Sequence, residues 1–366
     1  MTPDQGPTRS PRETTERRPA TGATRPFALV HTAEALHALE RPAGRRALVM
    51  TMGALHEGHA SLVRAAREHV GEQGQVVLTV FVNPLQFGAG EDLDRYPRTL
   101  DRDVVLAREA GADAVLAPSA EEVYPGGAPQ VRISAGPMGE RLEGATRPGH
   151  FDGMLTVVGK MFHLTRPDLA FFGQKDAQQL ALVRRMVRDL AFGIDIVAVP
   201  TAREPDGLAR SSRNRYLSPA ERRSAVALSR ALFAGRDRLA AQNALHHRAA
   251  WAPAGPGRAL ALDALGESRA AADAHAVARA VAAGPEEVRA AARQVLEEGA
   301  RLSPSVVLDY LALVDPSDFT EITEDFRGEA VLAVAAKVGT TRLIDNLPLA
   351  FDTPRAHPAQ HPGGAV

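Results

Sequence analysis

The chain has 366 residues, 45% of them hydrophobic and 24% charged, and at ~150 residues per domain this length predicts two domains with a core each. Lys and Arg number 43 against 44 Asp and Glu. A net charge of −1 offers no general field for nucleic acid or an anionic membrane, so any polyanion must be bound locally. Cysteine is absent, which excludes disulfides, a thiolate zinc site and a cysteine nucleophile.

No run reaches the ~18 apolar residues of a membrane span, and the N-terminus lacks the apolar segment of a signal peptide. A cytoplasmic enzyme is expected. Residues 1–26 are rich in Pro, Thr and Arg with almost no aliphatic side chains, so a disordered tail is expected there. A transit peptide is the alternative, but such peptides are poor in acids and this segment holds Asp4, Glu13 and Glu16. Residues 352–366 read as a second tail.

Between the tails, RALVMTM (46–52), QVVLTVFVN (75–83), DAVLAP (113–118), DLAFFG (168–173) and DIVAVP (195–200) are continuous apolar runs. They predict strands buried on both faces, hence a parallel sheet. Helical periodicity fills 59–69, 100–111 and 176–191. Strand and helix in alternation define a Rossmann-like, doubly wound α/β domain over 27–200, with its ligand at the carboxyl ends of the strands. After Pro200 an Ala- and Arg-rich helical texture runs from Pro219 to about Gly299. The runs VVLDYLALVD, EAVLAVAAKVG and TTRLIDN then read as strands, giving a smaller α+β lid over 201–351. Residues 236–280 look inserted and carry no recognisable chemistry.

Four segments carry candidate chemistry. Met52-Gly53-Ala54-Leu55-His56-Glu57-Gly58-His59 follows a strand and opens a helix. Its glycines permit close backbone approach, its free amides favour an anion, and imidazoles three apart share one side of the first turn. The competing readings are zinc, for which H-E-G-H is one residue short of H-E-x-x-H and lacks a third ligand, and two plain surface histidines. Phe172-Gly173-Gln174-Lys175-Asp176-Ala177-Gln178-Gln179 repeats the placement. Lys175 is a point charge suited to phosphate and Gln179 lies one turn on, while Asp176 alone would read as a helix cap. Arg210-Ser211-Ser212-Arg213-Asn214-Arg215 groups hydroxyls with guanidiniums as a triphosphate clamp would, or as a solvated basic turn would. Asn83 and Gln86, leaving another strand end, can orient a hydroxy acid or simply cap their loop. The P-loop and dinucleotide glycine motifs are absent, so P-loop kinase and dehydrogenase readings fall.

In order along the chain, TMGALHEGHASLV (51–63), FVNPLQFGAGEDLDRYPRTLDRD (81–103), RLEGATRPGHFDGMLTVVGKMFHL (141–164), FFGQKDAQQL (171–180) and DGLARSSRNRYLSPAER (206–222) resemble the pantoate–β-alanine ligase family, from about Phe27 to Leu349. The resemblance implies ATP- and Mg²⁺-dependent joining of (R)-pantoate to β-alanine through a pantoyl adenylate, usually by a cytoplasmic homodimer. It implies ATP contacts from Met52 to His59, with His59 catalytic and His56 its partner, from Gly173 to Asp176 with Lys175 on the phosphates, at Ala202, and from Arg210 to Arg213. It also implies Gln86 on both pantoate and β-alanine and Gln179 on pantoate, with Asp103 the candidate for Mg²⁺. Two residues depart from the family pattern: Met50 stands where Pro is common and Arg210 where Met is, the second adding charge at the nucleotide loop. Rival readings are another nucleotidyl-transferring enzyme such as a cytidylyltransferase, and a noncatalytic nucleotide sensor. The sensor would be marked by loss of His59, Lys175 or Arg213, all of which are present.

Overall fold

The computed structural model describes residues 26–88, 93–251, 256–278 and 284–351. The expected tails therefore lie, except for Pro26, outside the described residues. The five continuous apolar runs form the strands β2 (Arg46–Thr51), β3 (Gln75–Val80), β4 (Ala114–Leu116), β5 (Leu169–Gly173) and β6 (Asp195–Val199). A strand not foreseen, β1 (Ala28–Val30), adds to the β4 edge. The sheet is parallel throughout, in the order β1-β4-β3-β2-β5-β6.

Both faces of this sheet are covered, which is why its strands do not alternate in polarity. One face packs Leu48, Val77, Leu116 and Phe172 with Phe162 and Leu155; the other packs Val49, Leu78, Val115 and Phe171 with Ala60, Val63 and Ala66. The covering helices are α1 (Ala33–Ala38), α2 (Glu57–Val70), α3 (Leu100–Glu109), the short turns α4 (Ala120–Val123) and α5 (Glu143–Thr146), α6 (His150–Thr165) and α7 (Ala177–Asp189). From β2 the chain winds outward through β3 to β4, then returns to lay β5 on the opposite side of β2. Connections diverging from adjacent strands open a crevice at their carboxyl ends, where ligands of such sheets bind.

After β6 come α8 (Pro219–Trp251), α9 (Pro256–Ala264), α10 (Ser268–Ala278) and α11 (Pro285–Ala300). A second sheet follows: β7 (Val306–Val314), β8 (Gly328–Val338) and β9 (Thr341–Phe351), antiparallel in that order. Leu228 and Leu232 of α8 and Val288 and Ala292 of α11 pack on its Leu313, Leu332 and Val334. The inserted stretch expected to begin at 236 begins at no structural boundary, because α8 runs unbroken across that position.

One carboxylate ties α5 to the second sheet. Glu143 of α5 accepts from Arg342 of β9 through both oxygens, at 2.7 and 2.8 Å, and from the Tyr310 hydroxyl of β7 at 2.9 Å. Burial pulls the Arg342 guanidinium down, but bonds to Glu143 and Asp309 outweigh it and hold the group above its ordinary value. The bidentate geometry is what makes such a part-buried pair favourable.

Candidate active site

The crevice between β2 and β5 is a cleft of about 280 Å³. Met52, His56, Gly58 and His59 reach it from the β2–α2 connection, Gly173, Lys175, Asp176 and Gln179 from the β5–α7 connection, and Ala202, Arg210, Ser211, Ser212, Arg213 and Arg215 from the loop after β6. Three segments distant in sequence thus converge on one site. Gln86 lies in the cleft and also in an adjoining pocket of about 200 Å³, one side of which is apolar through Phe81, Met154, Val157, Val158, Met161 and Phe172.

The histidines cap their own helix. His56 is the N-cap of α2; its Nδ1 accepts from Gly58 N at 3.1 Å, and Nδ1 of His59 accepts from His56 N at 3.3 Å. With both Nδ1 atoms accepting, each neutral ring carries its proton on Nε2, which becomes a donor. The rings lie 4.1 Å apart between centroids. Burial, then the cations Lys175 and Arg210, push His56 down to about 4. Burial, then the neighbouring His56, push His59 down to about 3. At neutral pH the pair is therefore uncharged and hydrogen-bonding, while the positive charge of the cleft comes from Lys175 and the arginines.

Lys175 sits in a single 3₁₀ turn, Gln174–Asp176, between β5 and α7. Its ammonium is 3.6 Å from the Asp176 carboxylate. Asp176 takes the N-cap position of α7 but makes no side-chain capping bond, so the plain cap reading does not describe it. The clamp loop is shaped by Ser211, whose hydroxyl accepts from Arg213 N at 3.3 Å, and by Arg210 N donating to the Ala202 carbonyl at 2.9 Å. Arg210 turns its guanidinium to Glu204, at 3.3 Å.

Several expected contacts are placed elsewhere. Gly53, Ala54 and Leu55 are buried behind the cleft, and Glu57 pairs with Arg64 on the exposed side of α2. Gln174 offers its carbonyl to Asn346. Asn83, expected on pantoate, is 1% exposed with all four amide valences met: Oδ1 accepts from Leu85 N and the Tyr124 hydroxyl, and Nδ2 donates to Gly153 O and to Gln86 Oε1 at 3.0 Å. It braces Gln86 and leaves that residue's Nε2 as the donor on the cleft wall. Asp103, the Mg²⁺ candidate, is likewise 1% exposed and binds the backbone beneath the histidines. Among the described residues no three His, Asp or Glu side chains gather to hold a metal.

Sequence reasoning missed Arg147 and His150, which line the cleft and both approach the Gln86 carbonyl, His150 at 2.9 Å. Arg-Pro-Gly-His at 147–150 was a visible signal, but nothing local ties it to Gln86.

A parallel α/β sheet with a basic crevice at its switch point, entered by two helix N-termini, defines a nucleotide-binding enzyme of the doubly wound class. A family model described as pantoate–β-alanine ligase matches residues 28–348, and the chain belongs to that family. It is 74% identical to a pantothenate synthetase of Streptomyces avermitilis over 326 residues, 88% of this chain and 98% of that one. Among solved structures it resembles pantothenate synthetase from Thermus thermophilus, with a TM-score of 0.68 and 42% identity over 88% of this chain and 99% of that one. It also resembles the Francisella tularensis pantoate–β-alanine ligase complexed with β,γ-ATP and β-alanine, with a TM-score of 0.59 and 26% identity over 88% and 97%.

Proposed function

We propose that this cleft carries out the family's reaction in two half-steps, with ATP over the histidines and pantoate in the adjoining pocket. The pantoate carboxylate attacks the α-phosphorus, the bond to diphosphate breaks, and pantoyl adenylate forms. The free amine of β-alanine then attacks the acyl carbon, the acyl–phosphate bond breaks, AMP leaves and the amine gives up a proton. No covalent enzyme nucleophile is needed, so the protein's contribution is orientation and charge stabilisation.

The observation that carries this reading is the convergence of His56, His59, Lys175, Ser211, Ser212 and Arg213 on one cleft beside a pocket with an apolar side and a polar side. Neutral Nε2–H donors and a point cation suit a triphosphate whose charge moves toward diphosphate as the bond breaks. The apolar wall suits a branched acid, and the amides of Gln86 and Gln179 suit its hydroxyl groups. Gln86 at the junction of the two spaces is placed to meet β-alanine as well.

Mg²⁺ enters as part of the Mg·ATP substrate, held by phosphates and water, which is the usual habit of this ion. Asp103 does not fit as its ligand, because it is buried outside the lining of the cleft with its carboxylate turned to the Ala54 and Leu55 amides. Residues 27–200 form the nucleotide and pantoate domain in this reading, and 201–351 the lid. A cytoplasmic homodimer is the assembly that goes with it. No helix among the described residues is long and apolar enough to cross a membrane.

Pantoate-dependent exchange of labelled diphosphate into ATP, followed by pantothenate formation on adding β-alanine, tests the proposal. Exchange supported equally by unrelated acids, or by a phosphate ester with CTP, would favour the rival nucleotidyl transferase.

A further inference from the structure

The connection between β2 and α2 is conformationally unusual. Gly53 and Ala54 both have positive φ, at +88° and +50°. Glycine tolerates that region, but alanine is strained there because its Cβ crowds the backbone. A Cβ on Gly53 would also come to 3.1 Å from both Asp103 Oδ2 and Val80 Cγ1. The turn delivers His56 to the helix start, yet it leaves the amides of Ala54 and Leu55 outside both the β2 ladder and the α2 hydrogen bonds. Buried amides need partners.

Both find the same one. Asp103 Oδ2 accepts from Ala54 N at 3.0 Å and Oδ1 accepts from Leu55 N at 2.8 Å. The Thr99 hydroxyl, one turn back, donates to Oδ1 at 3.1 Å. The carboxylate is buried, and among the described residues no Lys, Arg or His side chain forms an ion pair with it, so oriented N–H and O–H dipoles answer its charge. Asp103 stands on α3, so a separate helix fixes the turn.

We propose that Asp103 is a positioning residue for the nucleotide site: its carboxylate holds the left-handed turn at Gly53 and Ala54 and so sets His56 and His59 toward the triphosphate. The inference rests on the reading that these histidines meet ATP. It replaces a metal-binding role with a backbone-binding one. An asparagine in its place would retain one acceptor oxygen while turning an NH₂ toward the other amide, so Asp103→Asn breaks the pairing with little change of volume.

The experiment is a double-mutant cycle of Asp103→Asn with His59→Ala, read as kcat and KM for ATP, pantoate and β-alanine at saturating Mg²⁺. For Asp103→Asn, kcat/KM for ATP should fall by about tenfold to a hundredfold, the scale of a misplaced reacting group, with KM for β-alanine within about twofold. In the His59→Ala background the same substitution should cost several-fold less than in the unaltered chain, because the share of the loss that runs through His59 is already gone while the share through His56 remains. A multiplicative double mutant, or a loss in Asp103→Asn that is seen at limiting Mg²⁺ and is absent at saturating Mg²⁺, overturns the proposal while leaving the site intact. A silent His59→Ala overturns the reading of the site itself. If Asp103→Asn fails to fold, hydrogen exchange in the unaltered chain decides: slow exchange at Ala54 and Leu55 supports the clamp, and exchange at solvent rates refutes it.

Discussion

Asn346 donates its side-chain amide to the carbonyls of both Gln174 and Lys175, at 2.9 and 2.7 Å. A residue of β9 in the second sheet thus grips the turn that aims Lys175 into the cleft of the first. Its neighbour Asp345 forms a bidentate pair with Arg203, at 2.6 and 3.0 Å, at the start of the clamp loop. Burial raises the Asp345 carboxyl, and Arg203 draws it back. The middle of β9 therefore ties two of the three cleft-forming segments together.

Replacing Asn346 by Leu removes both donors at similar volume and should reduce kcat/KM for ATP by about tenfold or more, since small displacements of a catalytic group have effects of that size. Asn346→Asp should be worse, because a carboxylate would face two carbonyl oxygens. Steady-state kinetics beside thermal melts check this. A loss matched by global unfolding, or full activity in Asn346→Leu, would remove Asn346 from the positioning of Lys175.

The depressed histidines make stability depend on pH in a defined direction. Unfolded, both titrate near 6.5; folded, they are pushed down to about 4 and about 3. Between these values the unfolded chain binds protons that the folded chain does not, so the stability associated with the neutral pair is complete above pH 6.5 and is lost as pH falls below it. His56→Gln combined with His59→Gln should flatten the decline of unfolding free energy between pH 6.5 and 4, by a slope of up to about two protons. Urea melts at a series of pH values measure it. An unchanged slope would show that the rings are not held neutral.

Lys175→Ala and His59→Ala should each slow adenylate formation by on the order of 10²-fold or more, the usual effect of removing one preorganised donor from a transition state. They approach the cleft from different strand ends, so their effects should multiply more nearly than those of two groups in one loop. Diphosphate exchange on each single variant and on the pair measures both claims. Near-normal exchange in folded Lys175→Ala would contradict its role on the phosphates.

What the sequence made visible were local features: apolar runs long enough for β2 to β6, and clusters of Gly, His, Lys and Ser just beyond their ends. The His56 and Lys175 segments were legible because each strand-to-helix junction announces itself within eight residues. The partners that fix them were not. Asp103 lies 49 positions from Ala54, Asn346 lies 171 from Lys175, and Glu143 lies 199 from Arg342. No periodicity encodes such pairings, which exist only once the sheets have formed. Asn83 shows the opposite limit. A polar residue at a strand end reads as a ligand contact, yet here it is wholly engaged by the protein.

Arg210 reaches the cleft from the loop after β6, and its guanidinium is already engaged. It pairs with Glu204 at 3.3 Å and donates to the Arg203 carbonyl at 3.3 Å, so reaching a phosphate would require leaving both. The exchange of one part-exposed anion for another is close to balanced. Arg210→Met should therefore change apparent ATP affinity by about 1 kcal/mol or less, with pantoate affinity hardly altered. Glu204→Gln is the informative companion: it frees the guanidinium without removing it and should tighten ATP, whereas the same substitution in an Arg210→Met background should do nothing. Separate titrations of ATP and pantoate against the four proteins distinguish the cases. A selective effect on pantoate would mean that the loop faces the acid and not the nucleotide.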